Sequence, residues 1–242
     1  MLEKDKEEMK SVFVTGATGF LGSYLVPFLS QKYSVACPSS RQFNITYPNL
    51  SLLQGHSLIV NLAGYTDVSN AETNREKAFA VNADCLDWLA QLEVPVYHIS
   101  TDYVYGKNTS DSKETDLLKP FCTYGESKAA GDMRLLSYCN PNVHIIRTSF
   151  KPIRWKYPAA FTNVITNADT VDVIAKMISE FILLESPGGV YNIGTESKTI
   201  YDLAKRSNPD IEKCIHPLFS FVNSTMDLNK YNNFIGQKHE DD

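Results

Sequence analysis

The run TGATGFLG, Thr15 to Gly22, limits what this chain can become more than any other feature. It follows a short apolar segment, Ser11 to Thr15 (SVFVT), and opens a helical pattern over Leu21 to Gln31. Pro27 lies inside that helix and is expected to kink or loosen it. Gly16 permits a tight turn out of the strand. Gly19 lets the backbone approach a pyrophosphate, and Gly22 lets the new helix pack on the strand. Phosphates then sit over the helix N-terminus, where free N–H groups and the helix dipole favour negative charge. A glycine triplet alone is weak, but between a strand and a helix it has the context that the motif requires.

The rest of the chain continues the alternation. Ser34 to Pro38, Leu58 to Leu62, Val96 to Ser100 and Val143 to Arg147 read as strands, apolar throughout rather than every second residue. Arg75 to Leu92 reads as one long helix, with Ala78, Val81, Leu86 and Leu89 at helical spacing, and Thr123 to Cys139 as another. Continuously apolar strands alternating with helices predict a parallel sheet covered on both faces. The expectation is a Rossmann-type, doubly wound α/β fold over residues 1–150. Residues 151–242 are expected to form a small lobe and then return to the core. There the pattern loosens through Pro152 to Pro158, resumes as a helix over Thr170 to Leu184, and passes a SPGG turn to a strand at Val190 to Ile193. A short helix near Ile200 to Arg206 follows, and the polar tail ending QKHEDD is expected to be loose.

Composition narrows the function. The 242 residues carry a net charge of -5, so bulk electrostatics give nucleic-acid binding no support. The charged start MLEKDKEEMK lacks the apolar core of a signal peptide, and no apolar run reaches the length of a membrane span. Cys37, Cys85, Cys122, Cys139 and Cys214 are dispersed without CxxC spacing. Free thiols in a reducing, cytoplasmic setting are therefore expected. Of the five histidines, His98 and His144 fall in buried strands and read as core residues, and no pair has metal-ligand spacing, so no metal is expected.

The second strand bears on cofactor choice. A site for NAD usually has an acid about 20 residues beyond the glycines, on the ribose 2′-OH. Pro38 to Asn44 (PSSRQFN) has none, and it carries Arg41. A guanidinium there suits a 2′-phosphate, which favours NADPH and leaves NADH as the alternative.

Tyr124 and Lys128 in YGESK are one helical turn apart and share a face. Alone, the pair equally describes a solvated surface. However, the strand before this helix ends in STDYVYG, Ser100 to Gly106, and ligands of open α/β sheets bind beyond the carboxyl ends of the strands. A strand-end hydroxyl at Thr101 followed by Tyr-x-x-x-Lys is the constellation of a carbonyl reductase. Lys128 beside Tyr124 is expected to lower the phenol pKa, which brings the tyrosine nearer to working as an acid.

With these pieces the chain resembles the extended short-chain dehydrogenases, specifically the dTDP-4-dehydrorhamnose reductase family. The carriers are TGATGFLG, NLAGYTDVSNAE (Asn61 to Glu72), Val81-Asn82, STDYVYG, YGESKAAGD (Tyr124 to Asp132) and IIRTSF (Ile145 to Phe150), in order across residues 11–150. The resemblance implies NADPH-dependent reduction of the C4 keto group of a nucleotide-linked 4-keto-6-deoxy sugar. It implies Thr101, Tyr124 and Lys128 as the catalytic set. Around the cofactor it places Gly16, Thr18, Gly19, Phe20, Leu21, Gly22, Asn44, Ile45, Ala63, Gly64, Tyr65 and Ser100, with Asn82 supporting the site from its helix. Asp67, Tyr103 and Phe150 would face the substrate. A homodimer is a further expectation.

Two departures stand out: the acid often present in the family at the position of Asn44 is missing, and the segment after RTSF is short. The second leaves the identity of the sugar open. Two rivals stay open with it. One is an epimerase or dehydratase of the same superfamily, for which Asp102 beside Thr101 would be the acid. The other is a non-catalytic regulatory subunit that retains the dinucleotide pocket.

Overall fold

A computed structural model of the chain describes residues 9–217 and 222–241, so most of the charged N-terminal segment lies outside the described residues. Five strands, β1 (Ser11–Thr15), β2 (Ser34–Ala36), β3 (Leu58–Asn61), β4 (Val96–Thr101) and β5 (Val143–Thr148), join the Gly189–Ile193 strand in one parallel sheet. The spatial order is Gly189–Ile193, β5, β4, β3, β1, β2. The winding direction reverses between β1 and β3, which is where such sheets open a crevice at their carboxyl ends. The doubly wound Rossmann-type fold is therefore present.

Alternating side chains of each strand feed two cores. Val12 and Val14 point to one face, with Leu25 and Leu29 of α1 (Gly22–Leu29) and Ile174, Ile178 and Phe181 of α6 (Val171–Leu183). Phe13 and Ile59 point to the other, against Leu86, Leu89 and Leu135. That second layer carries α5 (Thr123–Ser137), the site's main helix. Pro27 is accommodated inside α1.

The structure corrects two sequence expectations. The helix predicted over Arg75 to Leu92 is broken into α3 (Arg75–Phe79), a π turn (Ala80–Asp84) and α4 (Asp87–Ala90), after the short α2 (Val68–Ala71). The cause is Asn82, whose side chain bonds the Tyr65 backbone and Ser127 and pulls the helix out of register. The tail is not loose: Asn229–Asp241 forms α8, after α7 (Ile200–Lys205). Tyr231 is buried, and the Phe234 ring packs 5.5 Å from that of Phe181.

After β5 the chain builds short pairings. Phe150–Lys151 runs beside Asp169–Thr170, Ala159–Phe161 beside Glu212–Cys214, and Val164–Thr166 between Lys198–Thr199 and Val222–Ser224. Ser112 bridges to Met226, so the loop after β4 joins this smaller layer. A buried ion pair, Arg147 to Asp132 at 2.9 Å, fixes β5 to α5, and Arg147 also donates to the Tyr105 hydroxyl and the Glu114 carbonyl. Among the described residues no helix is long and apolar enough to cross a membrane.

Candidate active site

A cavity of about 680 Å³ lies along the carboxyl ends of β1, β3, β4 and β5. Its phosphate end is the glycine turn. Gly16 has φ +65°, and a Cβ there would stand 2.7 Å from the Ala63 amide nitrogen, so only glycine lets the ends of β1 and β3 close together. Leu21 stands at the N-cap of α1 without a capping side chain. Among the described residues the N–H groups of Phe20 and Leu21 have no acceptor. Two open donors at a helix N-terminus make an anion cradle.

The other end is polar and reactive. Thr101 terminates β4, and its hydroxyl donates at 3.1 Å to Oδ1 of the buried Asp102 and lines the same cavity as Tyr124. Tyr124 stands in the first turn of α5, and its ring meets that of Tyr103 at 5.8 Å. The first turn is held by Glu72, whose carboxylate accepts from both the amide and the hydroxyl of Thr123 at 2.8 Å. Lys128, one turn on, is buried; Nζ donates to the Ile99 carbonyl at 2.6 Å and lies 3.1 Å from Nε2 of His98.

The sign of one expected effect is reversed. Burial raises the Tyr124 pKa, and Asp102 raises it further, while Thr101 acts to lower it. Lys128 Nζ is bonded to the Ile99 carbonyl and lies beside His98. Burial also acts on Lys128, bringing its pKa down to about 8 against the opposing pull of Asp132. Tyr103 is pushed up to about 12, again by burial.

Gly16, Thr18, Gly19, Phe20, Leu21, Gly22, Asn44, Ile45, Ala63, Gly64 and Ser100 line the cavity, as do Thr101, Tyr103, Tyr124, Lys128 and Phe150. Four expected residues do not. Asn82 is buried behind the wall, where it clamps the Tyr65 backbone from both sides, so it supports the site without facing it. Tyr65 stands under the Lys77 ammonium, 5.9 Å from its ring centre. Asp67 is exposed and caps α2 by accepting from the Asn70 amide. Arg41 is exposed beside Ser40, which does line the cavity. Trp155 is tied to the Ala159 carbonyl and is absent from the lining.

Sequence reasoning missed Lys151 and Thr148, which line the cavity, and gave Glu72 and Asn61 no role. Glu72 and Asn61 sit at the ends of the NLAGYTDVSNAE block, yet nothing in its spacing reveals what either side chain touches.

A family model described as the RmlD substrate binding domain matches residues 9–178. The chain belongs to this family. It is 33% identical over 183 residues to dTDP-4-dehydrorhamnose reductase of Aggregatibacter actinomycetemcomitans, a match covering 70% of this chain and 62% of that protein. It is 36% identical over 159 residues to a probable low-salt glycan biosynthesis reductase of Haloferax volcanii, covering 57% and 52%. The matches thus span less than two thirds of these curated relatives. In fold, the chain superposes on dTDP-4-dehydrorhamnose reductase of Bacillus anthracis in complex with NADP. The TM-score is 0.78 at 20% identity, over 97% of this chain and 99% of that one. UDP-glucuronic acid 4-epimerase of Bacillus cereus, in complex with NAD, shares the fold with a TM-score of 0.75 at 19% identity, over 93% and 90%.

Proposed function

We propose that the protein is an NADPH-dependent reductase of the C4 keto group of a nucleotide-linked 4-keto-6-deoxy sugar. The observation that carries this reading is one cavity with an anion cradle at one end and Thr101, Tyr124 and Lys128 at the other. One named relative is a dTDP-4-dehydrorhamnose reductase and another a probable glycan biosynthesis reductase, and NADP is bound in a dTDP-4-dehydrorhamnose reductase of the same fold.

The residues present fit a dinucleotide. The open Phe20 and Leu21 amides suit its diphosphate, and the buried hydroxyls of Ser100 and Thr148, which lie in the cavity wall, have no partner among the described residues. Ser40 lines the mouth, with Arg41 beside it, where a 2′-phosphate would be met. When bound, the dihydronicotinamide supplies the hydride for C4. Thr101 orients the carbonyl oxygen. Tyr124 gives its proton to that oxygen as the C=O double bond becomes a C–O single bond. A raised phenol pKa keeps this proton on Tyr124 at neutral pH, which is the state a general acid needs. Lys128 braces the helix against β4 through its bond to the Ile99 carbonyl.

A buried Asp102 in contact with Thr101 is the one observation favouring an epimerase or dehydratase, but Tyr103 occupies the position where an acid pair would be completed. The free thiols fit a reducing, cytoplasmic setting, and self-association as a homodimer belongs to the same proposal.

The test is a panel of nucleotide 4-keto sugars with NADPH, followed by loss of reduced-cofactor absorbance and analysis of the product. Wild type should form a 4-hydroxy sugar, and Tyr124→Phe should stay folded, bind NADPH and lose roughly 10²–10⁴-fold in turnover. Near wild-type turnover in Tyr124→Phe would remove Tyr124 from the chemistry. NADPH binding with no substrate turned over would favour the regulatory-subunit reading.

A further inference from the structure

Behind the cavity wall a row of hydrogen bonds runs from Thr15 on β1 through Asn61 on β3 and His98 on β4 to Lys128 on α5. All four side chains are buried. Thr15 Oγ1 lies 2.5 Å from Asn61 Oδ1, a separation that suits O–H···O and is too short for N–H···O. Thr15 Oγ1 also accepts from the Ala63 amide at 3.3 Å, which leaves its own proton for Asn61. Asn61 therefore turns its carbonyl to Thr15 and its amide to His98, donating to Nδ1 at 2.8 Å.

The proton count then decides the imidazole. A neutral imidazole has one donor and one acceptor nitrogen. Nδ1 accepts, so Nε2 carries the hydrogen and directs it at Lys128 Nζ, 3.1 Å away. An ammonium has no lone pair to receive it, whereas a neutral amine does. The remaining titratable groups around Nζ cannot hold a fixed cation there. Asp132, on the same helix, is engaged by Arg147 at 2.9 Å. Cys85, beyond the π turn, is kept a neutral thiol by burial, with its pKa near 11. Tyr124, one turn back, is a neutral phenol. Among the described residues no carboxylate comes within ion-pair distance of Lys128.

We propose that His98 is a positioning residue that presents an N–H to Lys128 and so makes this lysine an exchangeable proton carrier rather than a permanent cation. The proposal rests on the reductase reading and deepens it. Each reduction takes one proton from Tyr124 and leaves a phenolate. Restoring the phenol takes one proton back from solvent, and a Lys128 that changes between ammonium and amine can hold that proton in transit. Burial lowering the Lys128 pKa acts in the same sense.

The direct test follows the 13Cε resonance of Lys128 against pH in the full chain, assigned by its loss in Lys128→Met. His98→Gln can turn a carbonyl oxygen toward Nζ and should raise the titration midpoint by about one unit or more. Thr15→Val frees Asn61 to reverse its amide and should move the midpoint the same way, so it decides the matter if His98→Gln fails to fold. A midpoint within about 0.2 unit of wild type in a folded variant overturns the proposal. This titration needs neither cofactor nor sugar, so failure to find a substrate would count against the reductase reading alone. With a substrate in hand, the pH limb of kcat should shift by the same amount while KM for the sugar holds; a purely structural role for His98 would not move that limb.

Discussion

Gly131→Ala should damage both stability and the site, and the reason is a single close approach. A Cβ at Gly131 of α5 would stand 2.1 Å from the Asn82 carbonyl oxygen and 3.0 Å from the Leu86 side chain. Ordinary contact begins near 3.4 Å, so α5 and the π turn would have to part by roughly 1 Å. Both sides of the contact are backbone in packed elements, so neither gives cheaply. Overpacking costs about 1–3 kcal/mol. The intrinsic helix preference of Ala over Gly returns about 1 kcal/mol. The clash should win, with a net loss of up to about 2 kcal/mol, or a Tm lower by up to roughly 8 °C for a chain of this size. The displaced helix also carries Tyr124 and Lys128, and the displaced turn carries the Asn82 clamp on Tyr65. A misplacement of about 1 Å is enough to cost on the order of 10²-fold in rate. Thermal unfolding and keto-sugar turnover read the two effects. A Gly131→Ala protein as stable and as active as wild type would refute the reasoning.

Arg41→Ala should weaken NADPH by about tenfold or more and leave NADH nearly unchanged, since a hydrogen bond to a charged group contributes roughly 1.5–3 kcal/mol; equal losses in titrations of both cofactors would remove Arg41 from the 2′-phosphate. Stability should also fall on mild acidification. Burial holds His56, His98 and His144 below the ordinary imidazole value. Their contribution is full above the unfolded pKa of about 6.5 and is lost as pH falls through the folded values, because the unfolded chain then binds protons that the native state refuses. For His98 and His144, each imidazole that stays neutral costs about 1.4 kcal/mol per pH unit below that point. Urea midpoints between about pH 7 and pH 5 should drop accordingly, and a flat profile would contradict the assignment.

The parts legible in the sequence were those with a local cause. Gly16 is demanded by a positive φ at one turn. Thr101, Tyr124 and Lys128 follow from a strand end and a four-residue helical spacing, and the structure brings all three to one cavity wall. The tail shows how composition misleads. QKHEDD is polar, yet Tyr231, Phe234 and Ile235 just before it have helical spacing and dock on the core.

The sequence by itself determined the sheet, the glycine turn and the reductase-like trio, because each needs only backbone geometry and period. Only the tertiary structure decided how those groups behave. The π turn exists because Asn82 finds Tyr65 and Ser127, both distant in sequence. The Tyr124 pKa moves up rather than down because burial penalises the phenolate, while Lys128 Nζ is bonded to the Ile99 carbonyl. Lys128 meets His98 because parallel register sets β4 beneath α5, and the orientation of that imidazole is passed along from Thr15 through Asn61. Protonation is governed by desolvation and by partners across the sheet, and neither is a property of residues adjacent in the chain.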